Sequence, residues 1–342
     1  MGKRSFVAVV LLSLPLLCAA GGTNAHVPPK PGTSLEKQIA TIRGLLNTPD
    51  DQLDLATSKL TIDRLYDPTL NVASAKQQIG ALAMTVRKRL PANPSIRDKI
   101  IALLSTLYDR GPWNGNHPFS YDLDDPLGED LRNRLLSRYL ATRKGNCVSM
   151  PILVAILAQK LGIQATLATA PAHMLMKFRD DRGVWMNVEA TSGYVVNDSF
   201  YPPKEHISQQ ALASGIYLRP LSQKGAIGAM LSTLMISYDR RRPEAVIALA
   251  NLALEANPKD ASAMIFEANA YYDLFKKRYT DRYPDPKDIP AAELKEAIWM
   301  SHQNPYWGHK AQALGWVQET PQQTQEYLDS VAREKARREQ AK

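Results

Sequence analysis

The chain has 342 residues, 42 Lys and Arg against 34 Asp and Glu, a formal charge of +8 and two cysteines. So few cysteines exclude a disulfide scaffold, and the chain must be held by a core that it is long enough to build. The basic excess is mild and dispersed, and its densest run, Arg240-Arg241-Arg242, has no interleaved aromatics. That run reads as a solvated turn between helices, and no nucleic-acid partner is expected.

Lys3 and Arg4 precede a short apolar core from Phe6 to Leu17, then small residues with two candidate cleavage points, after Ala20 and after Ala25. This is the pattern of a secretory signal over residues 1–25. The expected location is exported, either periplasmic or secreted. The apolar core is shorter than the about 20 residues that a membrane span needs, and no later segment supplies a stable span. An uncleaved anchor is one alternative. Lipoprotein processing at Cys18 is another, and the bulky Leu17 before it stands against that. Residues 1–25 hold two basic and no acidic residues, so without them the charge is +6 and Cys147 is the one thiol left. The remaining length suggests about two domains.

Residues 26–34 form a Pro-rich spacer, expected to be extended. Residues 35–110 read as a helical region. Ser34 is a candidate cap for its first helix. Ile79, Leu82, Val86 and Leu90 recur at steps of three and four, as do Ile96, Ile100, Leu103, Leu104 and Leu107. The stretch 110–128, rich in Gly, Pro, Asn and Asp, is predicted to be a long loop of the kind that often carries function. A helix is expected over 129–140, then one around Cys147 that ends at Gly162. Three short extended runs follow in 163–190, and Asp181-Arg182-Gly183 is predicted to turn the second into the third. The core thus spans 111–203 and is of α+β class, a cysteine-bearing helix packed on a small antiparallel sheet. Residues 204–342 turn helical again. The span 243–275 has the layout of a tetratricopeptide helix pair, with small residues at Ala250, Ala253, Ala268 and Ala270 and a turn at Asn257-Pro258. Further helices are expected near 291–300, 310–316 and 322–340, with the charged tail 332–342 a solvated helix end. About one and a half repeats cannot stand alone and should dock on the core.

The chemistry concentrates on three residues. Cys147 follows Lys144-Gly145-Asn146 and precedes an apolar run, a placement at a helix start that favours a thiolate. Asn146 can cap that helix, and Gly145 leaves room for a substrate backbone. Pro151 implies that the helix begins properly only near Ser149, or is distorted at Cys147. His173 opens the second extended run, where alternation places His173, Leu175 and Lys177 on one face and Met174, Met176 and Phe178 on the other. A turn centred near residue 181 brings Glu189 beside His173. Nucleophile, base and orienting acid are the three parts of a covalent acyl-transfer site. Each also has a plain structural reading: a small buried thiol, a strand-end histidine and a surface carboxylate. Asn116 and Asn114, in the loop before the cysteine, are candidate oxyanion donors beside the Cys147 amide, or turn formers. Trp113, Tyr121 and Trp185 line a groove or belong to the core. The histidines have no metal-ligand spacing, and neither a phosphate loop nor a dinucleotide fingerprint is present, so no metal and no cofactor is expected.

The words "RKGNCVSMPILVAILAQKLGI", "APAHMLMKF" and "NVEATSG" resemble the bacterial transglutaminase-like superfamily, a relative of the papain-like cysteine protease fold. The resemblance is closest to the branch with a helical N-terminal part and tetratricopeptide-like helices behind the core. It covers Tyr121 to Gly193 well and the flanking helices loosely. It implies Cys147 as nucleophile, His173 as base and Glu189 as the orienting acid, a position more commonly Asp. The implied activity is hydrolysis or acyl transfer at an amide or ester carbonyl of a peptide or protein substrate, through an acyl-enzyme. Some relatives lack the cysteine. The alternative is therefore a non-catalytic scaffold that binds a protein partner through its C-terminal helices. A third reading is an envelope protein whose basic surface binds acidic polymers.

Overall fold

The computed structural model describes residues 34–340; the signal-like segment, Cys18 and the spacer through residue 33 lie outside the described residues. Four helices come first: α1 (Leu35–Leu46), α2 (Leu55–Tyr66), α3 (Val72–Lys88) and α4 (Ile96–Tyr108). Ser34 caps α1 by accepting from the Lys37 amide, and Ser95 and Asp98 form a capping box at the start of α4. Ile79 and Val86 of α3 and Ile100, Leu103 and Leu107 of α4 are fully buried, as their spacing requires.

The 110–128 stretch is a loop apart from one 3-10 turn and β1 (Ser120–Tyr121). The helix expected over 129–140 is in fact two pieces, a 3-10 turn at Leu131–Arg134 and α5 (Leu136–Thr142). Leu135 is extended at the joint, and the Leu136 amide donates to Asp63 Oδ2 (2.8 Å). Lys59 Nζ pairs with Asp63 Oδ1 at 2.7 Å and donates to the Arg134 carbonyl at 3.1 Å, so this buried ion pair ties α2 to the break. β2 (Lys144–Gly145) lies parallel to β1, with Ser120 opposite Lys144 and Tyr121 opposite Gly145.

α6 (Ser149–Lys160) is buried on every side through its first ten residues, the mark of a helix at the centre of a core. α2 to α5 pack around it. Against it lies the antiparallel sheet β3 (Ala165–Ala170), β4 (His173–Arg179), β5 (Trp185–Glu189) and β6 (Tyr194–Val196), in that order. β6 is short and largely exposed, too brief a period for its pattern to register. Met174, Met176 and Phe178 join the α6 core, whereas Leu175 joins a second cluster with Tyr201, Ile207 and Ile216. The alternation expected along β4 therefore divides the two faces. The chain at Leu218 and Leu221 donates to the Thr169 and Leu167 carbonyls and covers the β3 edge.

The β4–β5 register pairs Lys177 with Asn187, which centres the hairpin on residue 182 rather than 181. The Asp180 carboxylate accepts from the Arg182 and Val184 amides, and the Asp180 amide donates to the Val184 carbonyl. These bonds lengthen the turn by one residue on each side.

Helices make up the rest: α7 (Tyr201–Lys204), α8 (Gln209–Ser214), α9 (Gln223–Met230), α10 (Ser232–Tyr238), α11 (Pro243–Ala256), α12 (Ala261–Phe275), α13 (Ala291–Ser301), α14 (Gln303–Ala313) and α15 (Pro321–Gln340). The three arginines 240–242 are exposed between α10 and α11. α11 and α12 pack as a pair, and the residues of α11 that face α9 and α10 join the α6 core, so this region docks on the core. The helix expected at 310–316 begins earlier, at Gln303. Pro305 falls in its first turn, where no intrahelical amide is lost, and Gly315 (φ 93°) ends it.

Candidate functional site

Asn146 builds the end of α6. Its side-chain oxygen accepts from the Val148 and Ser149 amides (3.0 and 3.1 Å), and its own amide donates to Ser149 Oγ (3.2 Å). The helix begins at Ser149, so Pro151 sits in the first turn and breaks no hydrogen bond. Cys147 lies in the turn just outside, partly exposed, with its backbone amide free of any acceptor among the described residues. Gly145 leaves no room for a substrate. A Cβ there would meet the Tyr139 ring at 2.5 Å and Met150 at 2.8 Å, so its missing side chain is filled from within the core.

The β3–β4 hairpin closes through Pro171 and Ala172, and Ala172 adopts φ 48°. Alanine pays for that left-handed position with about 1 kcal/mol. The result is a carbonyl turned to the Cys147 segment: Cys147 Sγ lies 3.8 Å from the Ala172 oxygen. Nothing in the sequence pattern marks Ala172, since glycine is the usual signal for such a position.

His173 Nε2 and Glu189 Oε2 are 2.8 Å apart, and the Cys147 sulfur, held 3.8 Å from the carbonyl of the residue before His173, lies close enough to act on the charge of the same ring. Nε2 is taken by the carboxylate, which leaves Nδ1 without a hydrogen-bond partner among the described residues. Glu189 is almost completely buried, and its other oxygen accepts from the Thr191 hydroxyl (2.5 Å) and amide (3.1 Å). Burial works against its charge, but the His173 charge, the ring hydrogen bond and Thr191 outweigh that and hold its pKa at about 2. Burial likewise disfavours the charged ring of His173. The Glu189 carboxylate and the Cys147 sulfur overcome it and raise the ring well above its ordinary value. Tyr201, fully buried on α7, stands behind the pair with its ring 6.3 Å from that of His173.

The loop asparagines are placed differently. The Asn114 carboxamide is buried and fully occupied: it accepts from the Gly111 amide and donates to the Thr106 and Asp109 carbonyls. It holds the turn and has no donor to offer an oxyanion. Asn116 is exposed at φ 58°, and its amide donates to the Gly111 carbonyl at 2.9 Å. Arg143 binds the Asn114 and His117 carbonyls and so ties this loop to the segment leading into Cys147. Trp113 stacks under the Arg89 guanidinium (3.6 Å to the ring centre) and Trp185 under Arg179, both away from the thiol. Of the three aromatics Tyr121 is the one beside the Cys147 segment, paired directly with Gly145.

Residues 73–231 match a family model described as the transglutaminase-like superfamily, a span from the start of α3 to the end of α9. The α+β architecture, a buried helix packed on a small antiparallel sheet, is consistent with a transglutaminase-like fold. No curated protein matches the chain, and no solved structure does.

Proposed function

We propose that this transglutaminase-like chain is an exported cysteine hydrolase or acyltransferase acting on an amide or ester carbonyl of a peptide or protein. The observation that carries the reading is the His173–Glu189 pair at 2.8 Å, with the Cys147 sulfur set against the Ala172 carbonyl immediately before His173. In this reading His173 takes the thiol proton through Nδ1, and the Cys147 sulfur attacks the carbonyl carbon. The oxygen gains the negative charge and is met by the free Cys147 amide; Asn116, at the rim of the loop, is the second donor to test. The imidazolium then gives its proton to the leaving amine or alcohol, and a thioester remains. Water or an amine, deprotonated by His173, attacks that thioester and restores the thiol. Glu189 keeps the ring in the required tautomer throughout. Export rests on the N-terminal sequence. Among the described residues, no helix is long and apolar enough to cross a membrane.

An activated acyl ester tests this. The expected result is a mass adduct confined to Cys147, formed at least about 100-fold more slowly in His173→Ala. An equal rate in that variant rejects the reading. A second reading, a binding scaffold, draws on the exposed Leu294, Ile298 and Trp299 of α13 and Tyr306 of α14. It predicts that Cys147→Ala keeps full biological activity.

A further inference from the structure

α15 is the least integrated helix of the described chain. It runs for 20 residues and buries one side chain, Val331. Its contacts are nevertheless specific. The Tyr327 hydroxyl hydrogen bonds with that of Tyr121 and also donates to the Pro126 carbonyl (3.1 Å). One turn pair further on, Lys335 Nζ meets Asp124 Oδ1 at 2.8 Å, while Lys144 holds the other oxygen of the same carboxylate at 2.8 Å.

These anchors lie on β1 and the loop after it, beside the β2 segment that leads into the thiol. Tyr121 pairs with Gly145 in the β1–β2 ladder, and Lys144 and Gly145 stand three and two residues before Cys147. Between α15 and that ladder lies a cleft of about 770 Å³, lined by Tyr121, Leu123, Asp124 and Lys144 on one wall and Lys335 and Arg338 on the other. Burial, together with the nearby Cys147, Glu205 and Glu189 charges, pushes the Tyr327 hydroxyl up to about 12, against the pull of its Tyr121 bond. The helix therefore lies against Tyr121, whose ladder partner Gly145 is two residues from Cys147.

We infer that α15 is a detachable strap across the approach to Cys147, latched by Tyr327 on Tyr121 and Pro126 and by Lys335 on Asp124, and that an extended acyl-donor chain enters the cleft only when the strap lifts. This concerns the regulation of the site proposed above and rests on that reading. The latch is made of hydrogen bonds and an exposed ion pair, contacts that water and salt replace at small cost. One buried valine gives the helix little apolar hold. Such a segment belongs to the low-stability end of a fold, where gating elements are found.

The test uses the full chain and reads Cys147 modification by peptide mass. Iodoacetamide reports the bare thiol, and a polymer-linked maleimide reports whether a bulky chain can reach it. Two variants release the strap by different means, Tyr327→Ala with Lys335→Glu, and Val331→Asp. Trypsin cleavage between Arg333 and Arg338 shows that release has occurred. We expect the polymer-to-iodoacetamide rate ratio to rise about tenfold in both variants, equivalent to about 1.4 kcal/mol, with an unchanged melting temperature of the core. An unchanged ratio with faster cleavage overturns the inference. So does unchanged cleavage in both variants, because the named contacts are then not the latch. The same ratio measured with His173→Ala separates the two claims: if it still rises while the acyl adduct forms at the unsubstituted rate, the strap stands and the catalytic reading falls.

Discussion

Two regions of this molecule bury a glutamate almost completely, and they treat it in opposite ways. Glu189 in the sheet is 1% exposed and has a partner for each oxygen, His173 on one side and Thr191 on the other. Its carboxyl is held at about 2. Glu267 on α12 is 2% exposed, its Oε2 has no hydrogen-bond partner, and burial pushes it up to about 7 against the weaker pull of Lys310. Burial opposes the charged form at both sites, so depth does not distinguish them; partners do. The sheet is organised to keep a charge, whereas the helical region merely encloses a proton-bearing group.

Replacing Glu189 with Gln strikes at that organisation directly. The acylation rate of Cys147 should fall by about 100-fold or more, since the ring loses the partner that fixes its tautomer. A stopped-flow ester assay that finds less than a fivefold loss would mean that Glu189 is only structural. Glu267 should show the opposite linkage. Its folded value lies above the unfolded 4.5, so the proton it retains contributes fully below pH 4.5, and the contribution declines until about pH 7. Urea titrations should show at most about 3 kcal/mol lost across that window, and a Glu267→Gln variant should be flat there. A wild-type curve that is also flat would erase the contrast between the two glutamates. Thr191→Val removes a hydroxyl from Glu189 and should cost about 1.5–3 kcal/mol at neutral pH. Because the Glu189 value is depressed, its stabilising effect is present above pH 4.5 and is lost as pH falls through about 2, so the cost of this variant should shrink in strong acid. The smallest effect is expected at Ala172, where glycine relieves the left-handed strain. Ala172→Gly should change stability by less than about 1 kcal/mol in thermal melts and leave the thiol reactive. A loss of several kcal/mol would show that the methyl group is packed.

Much of the architecture could be read locally. The steps of three and four along α3 and α4 gave those helices, and the alternation along β4 gave its two faces. The meeting of His173 with Glu189 followed from one turn, although the ladder is offset by two residues from direct opposition: Lys177 pairs with Asn187, and Glu189 reaches His173 diagonally. Contacts between distant parts of the chain left no such trace. Tyr121 and Tyr327 are separated by 206 positions, and neither pattern names the other. Gly145 looked like space for a ligand, since a glycine alone does not reveal that Tyr139 fills its missing side chain. Asn114 looked like a free donor for a similar reason, its three backbone partners being invisible until the loop is folded.

Cys147 is tethered lightly: it sits outside α6, partly exposed, and its thiol makes a long contact with the Ala172 carbonyl. The groups around it are satisfied by one another, Glu189 by His173 and Thr191, and Asn146 by the α6 amides. Evolution could therefore remove the Cys147 sulfur, and with it the chemistry proposed above, by one substitution and leave a well-folded descendant. Loss of chemistry and loss of structure are decoupled at this position, so inactive members of such a lineage should arise readily and persist wherever the surface has acquired a second use.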